Sequence, residues 1–180
     1  MIRSYALLLT LLVFVIAPAR ASVVISEIMF NPQGSDRDSI GSSYTYNREW
    51  VELYNAGTTT QNLSGWQFGD AHDNNWASEF PAGTTLGPGQ SLVVTGDLDS
   101  FDANWGSGIN RIQVNAFPNL ANSYGTDEWA ALRDSAGALQ DVVKFQETDW
   151  PTANGSDGNS VFLLPNALSE AGNDSPANWR

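Results

Sequence analysis

Apolar residues along this chain come in short runs cut by Gly, Pro, Asn and Asp, and after residue 21 no stretch keeps a long helical period. Short apolar runs bounded by turn formers are the pattern of strands. The pattern predicts strands over 23–30, 49–54, 65–68, 91–95, 129–133, 138–145 and 161–164. The fifth and sixth flank Ser135-Ala136-Gly137 and read as a hairpin, with Gly137 free to take the positive φ of a tight turn. Pro88-Gly89 suits a type II turn ahead of the fourth strand. In 49–54, Glu49, Val51 and Leu53 share one face and Trp50, Glu52 and Tyr54 the other, so neither face is purely apolar. Strands at this spacing predict a sandwich or barrel. Segments 31–47 and 98–110 are polar and rich in Gly, Ser and Asp, which predicts long loops of the kind that carry binding. From Thr148 onward, one strand in an otherwise irregular tail is expected.

The first 21 residues stand apart. Arg3 precedes an apolar run from Ala6 to Ala17, broken only by Thr10, and Ala19-Arg20-Ala21 supplies the small-x-small pattern of a signal peptidase site. The run falls well short of the roughly 20 residues that span a bilayer. It predicts a cleaved secretory leader (1–21), one domain (22–180), and a working place that is secreted, periplasmic or on the cell surface. No cysteine follows the cleavage site, which excludes a lipid anchor there.

Charge narrows the partners. The chain carries a formal −12, and loss of Arg3 and Arg20 with the leader takes it to −14. Such a surface disfavours nucleic acid, whose phosphates need Lys and Arg, and anionic membranes. Divalent cations, extracellular proteins and glycans remain compatible. The absence of cysteine rules out thiol nucleophiles and thiolate metal sites.

Carboxylates are the first candidates for chemistry. Glu27, Glu49, Glu52, Asp70 and Asp141 lie on or beside predicted strands, and a pair of them across a sugar would suit glycoside hydrolysis. No spacing picks out such a pair, and Arg48, Arg111, Arg133 and Lys144 offer ordinary ion pairing instead. Calcium is the cofactor worth weighing, because Asp97, Asp99, Asp102 and Asn104 place several hard oxygens in one segment. The regular calcium loop is not matched there, and Asp and Asn also cap turns. His72 is the sole histidine, and no Gly-x-Ser-x-Gly elbow accompanies it, so a serine hydrolase is set aside. Of seven tryptophans, Trp50, Trp66 and Trp129 sit on predicted strands and read as core or half-buried. Trp76, Trp105, Trp150 and Trp179 lie in polar contexts, where an indole either lids the core or meets a ligand. Trp76 and Trp105 are the candidate ligand-binding residues.

Several pieces, in order, resemble the bacterial lamin-tail domain family, an immunoglobulin-like module also found at the tail of nuclear lamins. They are Val24-Ile-Ser-Glu-Ile-Met29, Glu49-Trp-Val-Glu-Leu-Tyr-Asn55, Leu63-Ser-Gly-Trp66 and Leu86-Gly-Pro-Gly-Gln-Ser-Leu92. Asp127-Glu-Trp-Ala-Ala-Leu-Arg-Asp134, Gly158-Asn-Ser-Val161 and Ser175-Pro-Ala-Asn-Trp179 complete the series. The resemblance implies an all-β, immunoglobulin-like β-sandwich without catalytic residues, in a family that accompanies secreted enzymes and adhesive proteins. The long 31–47 insertion departs from it and is a place for a private function. The stop after Arg180 fits a short complete protein or a piece of a longer one. Taken together, the expectation is a non-catalytic extracellular binding or scaffolding module. A carbohydrate-binding module using loop tryptophans, with or without calcium, and a hydrolase with paired carboxylates are the alternatives.

Overall fold

The computed structural model describes residues 22–36, 48–120, 128–145 and 158–180. The predicted leader, most of the 31–47 insertion and Trp150 lie outside them. Two sheets form the body. The first is five-stranded: β11 (Val161–Phe162), β1 (Val23–Met29), β2 (Trp50–Asn55), β7 (Ser91–Thr95) and β8 (Arg111–Gln113), in that spatial order. Its pairings are antiparallel except β7 with β8, which is parallel. The second is β10 (Leu139–Phe145), β9 (Glu128–Arg133), β4 (Gln67–Asp70) and β5 (Asn75–Trp76), all antiparallel. A small ribbon joins β3 (Gln61–Asn62) to β6 (Thr85–Leu86).

Alternation fills the space between the two large sheets. Val23, Ile25, Ile28, Val51, Leu53, Leu92 and Val94 from one meet Phe68, Ala130, Leu132, Val143 and Phe145 from the other, all essentially inaccessible. This is the sandwich arrangement, in which inward residues of both sheets make one core. Each of the seven expected strands is present, with ends unchanged or shifted by at most two residues. The β9–β10 hairpin turns on Gly137 at φ +83°, as its sequence requires.

Two expectations need correction. Residues 98–105 are not loop but helix α1 (Leu98–Trp105). Asp97 caps it, its side chain accepting from the Ser100 N–H at 3.0 Å, and Gly106 ends it at φ +92°. Phe101 and Trp105, four residues apart, share the face that packs on the sheet. The tail beyond Leu163 is likewise more ordered than expected. It holds 3₁₀ turns at Pro165–Ala167 and Pro176–Asn178 and a short helix α2 (Glu170–Asn173) capped by Ser169. Among the described residues no helix is long and apolar enough to cross a membrane.

Candidate functional site

One residue too many in β1 creates the site. Ile25 pairs with Leu53, yet the next register position matches Glu27 with Glu52, so Ser26 is a bulge. Before it, Val23 and Ile25 face the core; after it, Ile28 and Phe30 do. The slip turns Glu27 and Met29 to the outer face, where Glu27 stands directly across from Glu52 and Met29 from Trp50. Without the bulge, strict alternation would carry Glu27 into the core.

A carboxylate from the other sheet holds the bulge. The Ile25 N–H donates to Asp141 Oδ2 at 2.7 Å, and Asn173 donates to the same oxygen at 2.7 Å and to the Ile25 carbonyl at 3.2 Å. Burial, only partly offset by these two donors, raises the Asp141 carboxyl to about 7. Asn173 is held in turn by Trp179, whose indole N–H donates to its carbonyl at 2.9 Å.

Above the bulge lies a cleft of about 380 Å³. Glu27 and Glu52 form one end, with Ser160 beside them; Trp50, Phe101 and Trp105 form the aromatic wall, and Ile109 the exposed rim. The Trp50 and Trp105 rings meet edge to face at 5.8 Å, and Phe101 sits 5.4 Å from Trp105. This second apolar cluster, with Met29 and Val93, is separate from the main core. It exists because α1 lies across the outer face of the sheet. Ser26 donates to Glu52 Oε1 at 2.6 Å, and Ser160 donates a short hydrogen bond to Glu27 Oε1. Burial lifts the Glu27 carboxyl above the usual carboxylate range; the Ser160 bond opposes the rise and the Glu52 charge adds to it. No Lys or Arg lines this cleft among the described residues.

The remaining expected residues fall elsewhere. Trp105 is in the cleft wall, but Trp76 is on β5 in the other sheet, so the two do not form one platform. Trp76 bonds through its indole N–H to Asn74 at 3.0 Å, and the Arg133 guanidinium covers its ring at 4.0 Å. The calcium segment is a capped helix rather than a cation loop. Asp97 is occupied as the N-cap, Asp99 is exposed in the first turn, and Asn104 bonds to the Ser100 carbonyl at 2.8 Å. Asp102 takes a two-point contact from Arg111, at 2.5 and 2.6 Å. No group of three His, Cys, Asp or Glu suited to a metal ion occurs among the described residues.

Of the five strand carboxylates, the fold brings together only Glu27 and Glu52. Glu49 is buried and accepts from the Leu120 N–H at 3.0 Å, Asp70 accepts from the His72 N–H at 2.8 Å, and Asp141 holds the bulge. The exposed His72 lies against Asp73 and Trp129, far in role from any triad. One available signal for α1 was the spacing Asp97, Leu98, Phe101, Trp105, Gly106: a cap, an apolar helix face and a stop.

Two packed sheets in this strand order, with all inward faces sharing one core, define an immunoglobulin-like β-sandwich. The Lamin Tail Domain family matches residues 16–147, and the chain belongs to that family. Ser160, Asn173 and Trp179 lie beyond the matched span. Among solved structures, the chain is similar to a DUF4876 family protein from Bacteroides thetaiotaomicron VPI-5482, at 10% identity and a TM-score of 0.48. That likeness covers 81% of this chain and 63% of the other, so the chain spans less than two thirds of that protein's length. No curated protein matches it.

Proposed function

We propose that this chain is an exported, non-catalytic binding module of the lamin-tail type, with the Glu27–Glu52 cleft as its ligand seat. The observation that carries the reading is the cleft itself: two facing carboxylates and a three-ring aromatic wall on the outside of a sandwich whose main core is already complete. A sheet face that serves only stability has no need of opposed like charges, which destabilise a strand pair. Family membership supports a non-catalytic role, and the leader pattern supports export. The partner is an extracellular protein or glycan.

The test is solid-phase binding of the exported chain to a panel of extracellular polysaccharides and matrix peptides, alongside turnover assays on glycans, esters and phosphodiesters. Retention on at least one surface, lost on Trp105→Ala and kept on Trp76→Ala, is the expected result. N-terminal sequencing of the secreted protein is expected to begin at Ser22. Turnover that disappears on Glu27→Gln would instead make the facing carboxylates a catalytic pair and overturn the reading.

A further inference from the structure

We infer that the Glu27–Glu52 cleft recognises an organic cation, a substituted ammonium group whose charge sits between the two carboxylates and whose apolar substituents rest on Trp105. This deepens the preceding proposal and rests on it. The first ground is the register. Cross-strand partners on one face have Cβ atoms only about 5 Å apart, where like charges repel. Glu27 and Glu52 occupy such a pair, and among the described residues their hydrogen-bond donors are the hydroxyls of Ser160 and Ser26 rather than a basic side chain. A cation entering the cleft supplies the missing countercharge.

The second ground is independent and comes from the rings. On the opposite sheet the chain covers its own half-buried indoles with cations: Arg133 over Trp76 at 4.0 Å and Lys144 over Trp129 at 3.9 Å. Cation–π contacts of this kind favour tryptophan above other rings. Among the described residues no Lys or Arg lies over Trp50 or Trp105, though Trp105 is similarly half-buried. Trp50, which lines the cleft at 6% exposure, also has its buried indole N–H without an acceptor among the described residues.

Size and field agree. A cleft of about 380 Å³ admits one small cation or one basic side chain, not a folded segment. A chain with a formal charge of −12 concentrates cations at its surface and accelerates their encounter. Among the described residues, an anionic ligand would meet two carboxylates and no basic residue. The ammonium group can come free in solution or on the lysine of an extracellular protein, and the probes below separate the two.

The experiment titrates the exported chain with choline, with tetramethylammonium and with a lysine-centred tetrapeptide at fixed ionic strength. The control is 3,3-dimethylbutan-1-ol, the uncharged carbon analogue of choline. Indole N–H resonances of Trp50 and Trp105 are followed by NMR. Saturable shifts with choline and none with the alcohol are expected. Affinity is expected to fall by about tenfold or more in Glu27→Gln/Glu52→Gln, whose side chains keep their shape, and to hold in Trp76→Ala. Tighter binding of the tetrapeptide than of choline assigns the ammonium to a protein side chain; equal or weaker binding assigns it to a free cation. An equal response to choline and the alcohol, or unchanged affinity in the double variant, overturns the inference. If the cations fail while the panel still shows Trp105-dependent retention, only the ligand class is wrong. Failure of both removes the binding-module reading as well.

Discussion

Replacing Asp141 by asparagine is expected to flatten the dependence of stability on pH between about pH 4 and pH 7, and to make the domain more stable than its parent above that window. The parent carboxyl titrates near 7 when folded against an ordinary value of 3.8. Between those two values it holds its proton in the folded chain and has lost it in the unfolded chain. Unfolding then releases a proton, so this group's contribution is full below about pH 4 and is lost as pH rises through 7. The gap between those two values sets an upper bound of about 4 kcal/mol on the change. The raised Glu27 carboxyl adds to it with the same sign. The amide introduced by Asp141→Asn keeps an oxygen for the Ile25 N–H but cannot ionise. Asp141→Ala is different: it leaves the buried Ile25 N–H without its acceptor and the Asn173 amide with only the Ile25 carbonyl, and costs about 2–4 kcal/mol below the window and less above it. Urea unfolding from pH 4 to 8, read by tryptophan fluorescence, measures both. Equal slopes for the parent and the Asp141→Asn variant would mean that Asp141 is not the titrating group.

The strands were readable because their signal is local. Two-residue alternation and the turn formers Pro88-Gly89 and Gly137 suffice to place seven of them, and the ordered motifs suffice for the family. Helix α1 was hidden by composition: four Asp or Asn within 97–104 look like loop chemistry, although two of them serve helix geometry, one as cap and one by bonding back to Ser100. The site was hidden more deeply. Glu27 and Glu52 are visible as residues, but their meeting depends on the Ser26 bulge, and an extra residue in a strand leaves no mark on a sequence without its partner strand alongside. Asp141 fixes that bulge from 116 residues away, a relation that exists only after the sheets pack. The carboxylate alternative suffered likewise, since which pair meets is decided by register and not by spacing. Trp105 was recognisable as a candidate; that its neighbours would be Trp50 and Phe101 required the helix.

Trp179→Ala is expected to be among the most damaging single substitutions in the chain, lowering stability by about 3–5 kcal/mol and the melting temperature by about 10 °C. The side chain looks peripheral in sequence, one residue from the C-terminus in a polar stretch, yet it is fully buried in the main core. Its backbone bridges Leu163, and Arg180 exchanges hydrogen bonds with Phe162 at 2.8 and 3.0 Å. These contacts cover the open side of β11, a two-residue edge strand with little pairing of its own. The loss also travels. Without the indole, the Asn173 carbonyl loses its donor, and Asn173 is the residue that clasps Asp141 and the Ile25 carbonyl at the bulge. Trp179→Ala should therefore be non-additive with Asp141→Ala, each removing part of what the other would cost. Trp76→Ala, on the edge strand of the opposite sheet and only half-buried, is the matched control and is expected to shift melting far less. Additive effects of Trp179→Ala and Asp141→Ala would separate the C-terminal segment from the bulge and, with it, from the placement of Glu27 against Glu52.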